Sequence, residues 1–330
     1  LIIFLFSLLI PPSSILMVLV IISTIIMGIG TGYYHPLGAA VLQSVVSKNK
    51  IGKALGINGG LGSIGRAIYP TIFFGIAVIF TYSASLAFLA SLGFLAALII
   101  YVELKNVVKM ESNEKKENIR TSIRNAITKG ILILSVLTFI RAIATQGIVS
   151  WIPFYLSYTR GIVLSLSLGT TMTIMYTVAI LGQPLFGILA DKFDRRYLLI
   201  LSTIGAGLSV IEYVLTEGYI SLLLLIIFAF FNFTGFPLLM ALTKDYVQST
   251  SSVSNSLVWG IANTGGMVIG PLIVGSFLLN SYSGLVLIYE ILAVIIIIVG
   301  LFTFLLPKTN YSISIFVSCV KSCLPWKNKF

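Results

Sequence analysis

The sequence predicts an all-α protein threaded many times through a bilayer, and three observations predict it. Hydrophobic residues make up 58% of the chain and charged residues 9%, whereas a soluble domain carries about a quarter charged residues. The apolar residues fall in charge-poor runs of roughly twenty, the length that crosses a hydrocarbon core. Basic residues crowd into alternate connecting loops, the bias of loops on the cytoplasmic side.

Each element follows from that pattern. Residues 1–10 are apolar but too short to span alone, and Pro11-Pro12-Ser13-Ser14 makes a turn. Residues 15–46 form the first full span, with a predicted break at Tyr33-Tyr34-His35-Pro36. The loop 47–53 carries Lys48, Lys50 and Lys53 with no acid and belongs inside. Residues 54–80 cross outward, 81–83 form an uncharged outer turn, and 84–102 return. A polar stretch over 103–129, with seven basic residues and four glutamates, divides the chain. Spans follow at 130–155, 170–190, 197–215, 221–242, 256–279 and 285–306, with Arg160 in the first outer loop. The expected organisation is a bundle over 1–104, a cytoplasmic linker over 105–129, a six-helix bundle over 130–307 and a cytoplasmic tail over 308–330. Of the 21 lysines and arginines, 18 fall on the inner side of this threading, Arg160 outside, and Arg66 and Arg141 within spans.

The same residues exclude several function classes. A net charge of +11 could suit nucleic acid, but its confinement to alternate loops is the membrane pattern and argues against that partner. Cys319 and Cys323 have no second ligand pair nearby and read as incidental. One histidine, no Ser-His-Asp set and no phosphate loop speak against a membrane enzyme. No cofactor and no metal is expected.

The densest charge in the second half is Gly187-Ile188-Leu189-Ala190-Asp191-Lys192-Phe193-Asp194-Arg195-Arg196, a short turn between two spans. Its carboxylates must meet the arginines or a helix N-terminus, and Gly187 allows two helices to approach closely. This stretch resembles the signature loop of the major facilitator superfamily, G-x-L-A-D-R/K-x-G-R/K-R/K. Asp194 departs from it where glycine is usual, which predicts a stiffer left-handed turn. The resemblance implies two helix bundles related as parallel repeats that transport a solute by alternating access.

A shift of 201 residues superposes Pro36 on Pro237, Ala40 on Ala241, Val46 on Val247, Gly59 on Gly260, Gly65 on Gly266 and Pro70 on Pro271. One register held across two helices predicts a duplication. It also places residues 1–10 opposite a third helix, so the expectation is a twelve-helix fold lacking helices 1–2 and part of 3. A complete ten-helix protein is the alternative.

Two segments, 28–40 with its Tyr-His-Pro step and Gly59-Gly60-Leu61-Gly62-Ser63-Ile64-Gly65-Arg66-Ala67-Ile68-Tyr69-Pro70, resemble helices four and five of fosmidomycin-resistance-type efflux proteins. Arg141 and Trp151-Ile152-Pro153 resemble their helix seven. That similarity implies proton-coupled efflux of a drug or metabolite by a monomeric antiporter in the cell membrane. Alternatives are an organic-anion/proton symporter, and a non-transporting sensor or degenerate fragment.

Ionisable groups inside a membrane are costly and default to functional candidates. Arg66 lies 13 residues beyond Lys53 and Arg141 lies 12 beyond Lys129, roughly 20 and 18 Å along a helix. His35 reaches similar depth. The expected cavity set is Arg66, Arg141, His35, Tyr34, Gln146 and Trp151, with both arginines drawing an anionic group. The plainer reading makes each arginine a tether to helix carbonyls. His35 and Glu290 are the coupling candidates. The expected gate is Gly187, Asp191, Lys192, Asp194, Arg195 and Arg196. Gly59, Gly62, Gly65, Pro70, Gly266, Gly270 and Pro271 form the expected packing motif.

Overall fold

Helix α1 covers Ser14–Val45, α2 Ile51–Ile79 and α3 Tyr82–Glu111. A short α4, Ile119–Ala126, sits within the polar stretch. The second bundle is α5 Lys129–Arg160, α6 Leu166–Ala190, α7 Arg195–Leu215, α8 Gly218–Phe233, α9 Gly235–Tyr246, α10 Ser252–Asn255, a π-helix over Ser256–Asn263, α11 Thr264–Leu278 and α12 Gly284–Phe302. The structure, a computed structural model, describes residues 14–111, 119–162, 165–247, 252–278 and 284–308. The leading turn and the two cysteines lie outside these. Among the described residues there is no strand, and eight stretches are long and apolar enough to cross a membrane.

Four features differ from the sequence reading. First, α1 is not broken at Pro36 but runs through it. Proline cannot donate to the carbonyl four residues earlier, and that oxygen, on Gly32, faces Gly260, where a Cβ would stand only 3.2 Å away. Likewise Pro184 leaves the Ile180 carbonyl without its helical donor, and that oxygen faces Gly60. A proline on one helix is thus matched to a glycine on the other bundle. Second, the span over Gly218–Tyr246 changes helix at Thr234, just before Gly235 and Pro237. Third, the following span opens with one π-helical segment, a form concentrated at functional positions. Fourth, α3 continues past the predicted end at 102 to Glu111.

The second bundle has its own core. Tyr155, Tyr213 and Tyr289 are fully buried together between α5, α7 and α12. Tyr155 and Tyr289 stack with centroids 4.8 Å apart, and the Tyr289 hydroxyl donates to the Ile148 carbonyl at 2.9 Å. Helices α1 and α2 are buried chiefly where they meet the second bundle. Helix α2 lies along α6 for its whole length, from Gly52 beside Gly187 to Pro70 beside Gly169, with Thr71 and Thr173 hydroxyls 2.7 Å apart. Helix α1 meets α9 and the π-helix.

Those contacts are reciprocal. Gly59 of α2 faces Phe236, next to Pro237 of α9, while Gly260 of the π-helix faces Pro36 of α1. The 201-residue shift carries Gly59 onto Gly260 and sets Phe236 opposite His35, one residue from Pro36, so the two contacts correspond to within one position.

Candidate functional site

A cavity of about 570 Å³ lies between the bundles. Tyr34 and His35 come from α1, Asn58, Gly59, Gly62 and Arg66 from α2, Arg141 and Gln146 from α5, and Tyr176 and Gln183 from α6. Asn232, Phe233, Phe236, Trp259, Asn263 and Met267 complete the wall. Five of the six cavity residues expected from sequence meet here. Trp151 does not: its indole donates to the Pro271 carbonyl at 2.9 Å and its ring lines a separate apolar groove with Phe154 and Tyr158. Glu290 is not on the cavity wall either.

The two deep arginines have different surroundings. Arg141 is 6% exposed. Its Nε donates to Thr203 Oγ1 at 3.3 Å, and one terminal nitrogen donates to the Asn232 carbonyl at 3.0 Å. Its other terminal nitrogen stands against Gly235, where a Cβ would come within 2.9 Å. The side chain therefore ties α5 to α7 and to the α8–α9 junction. Arg66 lies over the Phe233 ring, 4.9 Å from its centroid. No hydrogen bond or ion pair holds it among the described residues.

His35 sits in an aromatic cluster, with ring centroids 5.5 Å from Phe236 and 5.6 Å from Trp259. Phe236 and Trp259 are themselves 4.8 Å apart, edge to face. Gln183 donates to Ser63 Oγ at 2.7 Å, and Ser63 donates onward to the Gly59 carbonyl at 2.9 Å. A side chain at Gly59 would collide with that glutamine. Sequence reading passed over Asn58, Tyr176, Asn232 and Asn263. An amide within an otherwise apolar run is the signal that would have found the three asparagines; Tyr176 carries no such mark.

The charged loops gather at one end. Both Asp191 oxygens accept from backbone N–H groups at the start of α2, Gly52 and Lys53, each at 2.8 Å. A carboxylate at a helix N-terminus satisfies donors that lack intrahelical partners. Arg195 joins Asp191 at 3.4 Å and Asp245 at 2.7 Å. Lys192 is exposed. Asp194 makes no left-handed turn, contrary to expectation. Its φ is −62° and ψ 116°, it caps α7 by accepting from the Arg196 N–H, and it pairs with the Arg196 side chain at 2.6 Å. An Asp at this position supplies a cap that glycine could not.

The packing glycines also differ from expectation. A Cβ at Gly62 or Gly65 would meet nothing within 4 Å. The close approach belongs instead to Gly52, Gly56 and Gly60, spaced by four along one face of α2 and set against Gly187, Gln183 and Pro184. Gly266 and Gly270 do pack tightly, against Phe139, Ala142, Ile143 and Gly147 of α5.

A family model described as Major Facilitator Superfamily matches residues 1–257 and again residues 165–316. The chain belongs to the major facilitator superfamily. A Haemophilus influenzae protein named "Putative metabolite transport protein" is 30% identical over 218 residues, which is 63% of this chain and 52% of that one. The chain thus spans about half the length of the curated relative it matches. Major facilitator proteins are transporters rather than enzymes, and the all-helical fold with its cavity between bundles agrees with that membership.

Proposed function

We propose that this chain works as a secondary transporter of small organic anions, with the inter-bundle cavity as the solute site. One observation carries the reading: the Arg66 guanidinium lines that cavity with no carboxylate against it among the described residues. A desolvated guanidinium without an ion-pair partner favours an anion that takes its fork of donors. Arg141 adds positive potential while holding the second bundle together. The metabolite transport named for the Haemophilus influenzae protein supports the solute class at its coarsest.

The finer reading is efflux in exchange for protons, with His35 as the coupling group. His35 is the cavity's only imidazole and, from α1, meets the second bundle at Phe236 and Trp259. Glu290, away from the cavity, is dropped from that role. The protein works as a monomer in the cell membrane, since one chain supplies both walls of the cavity. The basic loops and the tail face the cytoplasm, as the charge bias supports. The resemblance of 28–40 and 59–70 to fosmidomycin-resistance-type exporters supports the direction.

Proteoliposomes carrying a pH-sensitive dye inside test the reading. An outward anion gradient should drive a counterflow of protons in wild type, and Arg66→Ala should abolish it at equal reconstitution. Proton flow in the same direction as the anion would replace exchange by symport. Transport of cations alone, unaffected by Arg66→Ala, would refute the anion site.

A further inference from the structure

Resting on the anion-site reading above, we infer that the preferred solute is a planar ring acid: a carboxylate attached to an aromatic or conjugated ring, small enough for one ring to fill the space between the bundles. The cavity has two chemically distinct levels. At one, the Arg66 guanidinium lies over Phe233. A cation placed on an aromatic face is held by the ring quadrupole while its N–H edges stay free to grip a carboxylate. At the other, His35, Phe236 and Trp259 form a cluster with centroid separations of 4.8–5.6 Å and mutual tilts of 59–80°. Rings set edge to face leave faces and edges directed at a neighbour, the arrangement that another flat ring joins most readily.

The spacing of the levels decides the shape. Phe233 and Phe236 are three residues apart across the α8–α9 junction, which sets the two levels next to each other on one wall of the cavity. A carboxylate joined to a ring directly or through a short conjugated link can engage both levels at once. A flexible chain acid could take the guanidinium but would leave the aromatic level unfilled. No Asp or Glu lines the cavity, so an organic cation finds no counter-charge among the described residues. The Trp259 indole N–H makes no hydrogen bond among those residues, which leaves a donor for a ring hydroxyl or a second carboxylate oxygen.

The test is isothermal titration of the full-length protein in lipid nanodiscs with three probes. Benzoate has the charge and the flat ring, cyclohexanecarboxylate has the charge on a puckered ring, and benzamide has the flat ring without charge. The expected order is benzoate tighter than cyclohexanecarboxylate by about tenfold, the scale of an aromatic contact, with benzamide weakest. Trp259→Leu should erase the preference for benzoate over cyclohexanecarboxylate yet keep both acids ahead of benzamide. Arg66→Gln should do the reverse. Equal binding of the two acids, both ahead of benzamide, would overturn the planar-ring inference and leave the anion site standing. Binding of neither acid above benzamide would overturn both. The wild-type series alone separates these outcomes, so a variant that fails to fold does not stall the test.

Discussion

Arg66 on α2 and Arg141 on α5 are the same residue at similar estimated depth on the wall of one cavity, yet the molecule treats them oppositely. Arg141 belongs to a bundle with a closed core, and the bundle's own oxygens engage its Nε and one terminal nitrogen: Thr203 from α7 and the Asn232 carbonyl from α8. Arg66 projects from α2, whose burial comes mainly from glycine contacts with the other bundle, and among the described residues it lies over the Phe233 ring with no hydrogen bond or ion pair. The difference teaches where function can reside. A guanidinium whose donors are consumed holds helices together, and one whose donors are free can bind a solute that comes and goes.

Substitution at the two positions should therefore separate binding from stability. Arg66→Gln removes a charged donor set without orphaning any protein oxygen, so anion affinity should fall roughly 30- to 100-fold, the scale of charge-assisted hydrogen bonds. Its melting temperature in detergent should stay near wild type. Arg141→Met leaves the Asn232 carbonyl and Thr203 hydroxyl buried without their donor, at about 1–3 kcal/mol. Its largest effect should be a drop of several degrees in melting temperature, read by thermal denaturation with a thiol-independent dye. If Arg66→Gln melts early, or Arg141→Met loses anion binding at full stability, the assignments are reversed.

A second pair sharpens the contrast on α2 itself. At Gly56 a Cβ would stand 2.5 Å from the Gln183 carbonyl and 3.0 Å from the Pro184 Cα, both backbone atoms. Gly56→Leu must therefore push α2 off α6, and both transport and melting temperature should fall. At Gly62 there is open space, and alanine is favoured over glycine in a helix by about 1 kcal/mol. Gly62→Ala should melt at or slightly above the wild-type temperature.

This pair also marks how far the sequence could be read. The depth of Arg66 and Arg141 was legible because helical rise counted from a charged loop fixes height in a membrane. Which arginine is tethered was not, because Thr203 and Asn232 lie 62 and 91 residues away. The tight face of α2 was legible in principle, since Gly52, Gly56 and Gly60 repeat at four, the small-residue spacing of close helix pairs. Of the three-residue series Gly59, Gly62 and Gly65, Gly59 makes a close approach, to Gln183 and Phe236, while the other two face open space. The all-α membrane class followed from composition and loop charge, and the major facilitator fold from the resemblance of residues 187–196 and the 201-residue repeat. The cap made by Asp194 did not, because the same residue suits either a left-handed turn or an N-cap, and only its neighbours decide.

The smallest expected effect concerns the third contact between the bundles. Gln43 of α1 donates to the Met240 carbonyl at 2.8 Å, and Asn255 donates to Gln43 Oε1 at 3.0 Å, with both side chains buried. These amides sit where α1 meets α9 and the start of the π-helix that carries Trp259. Unlike the α2–α6 seam, which packs backbone on backbone along its length, this contact is a few neutral hydrogen bonds, each worth about 1 kcal/mol net. Such a tie is strong enough to bias a two-state equilibrium and weak enough to release in every cycle. Gln43→Leu should therefore leave anion affinity within about threefold of wild type while shifting the balance between closed and open forms of the charged-loop end. Labelling rates of a cysteine placed at Ser44 would report the shift, and the same rate in both proteins would make the amide pair a passive filler. If Asn255→Leu alone also speeds labelling, and the double variant adds nothing to either single one, the two amides act as one tie rather than as separate contacts.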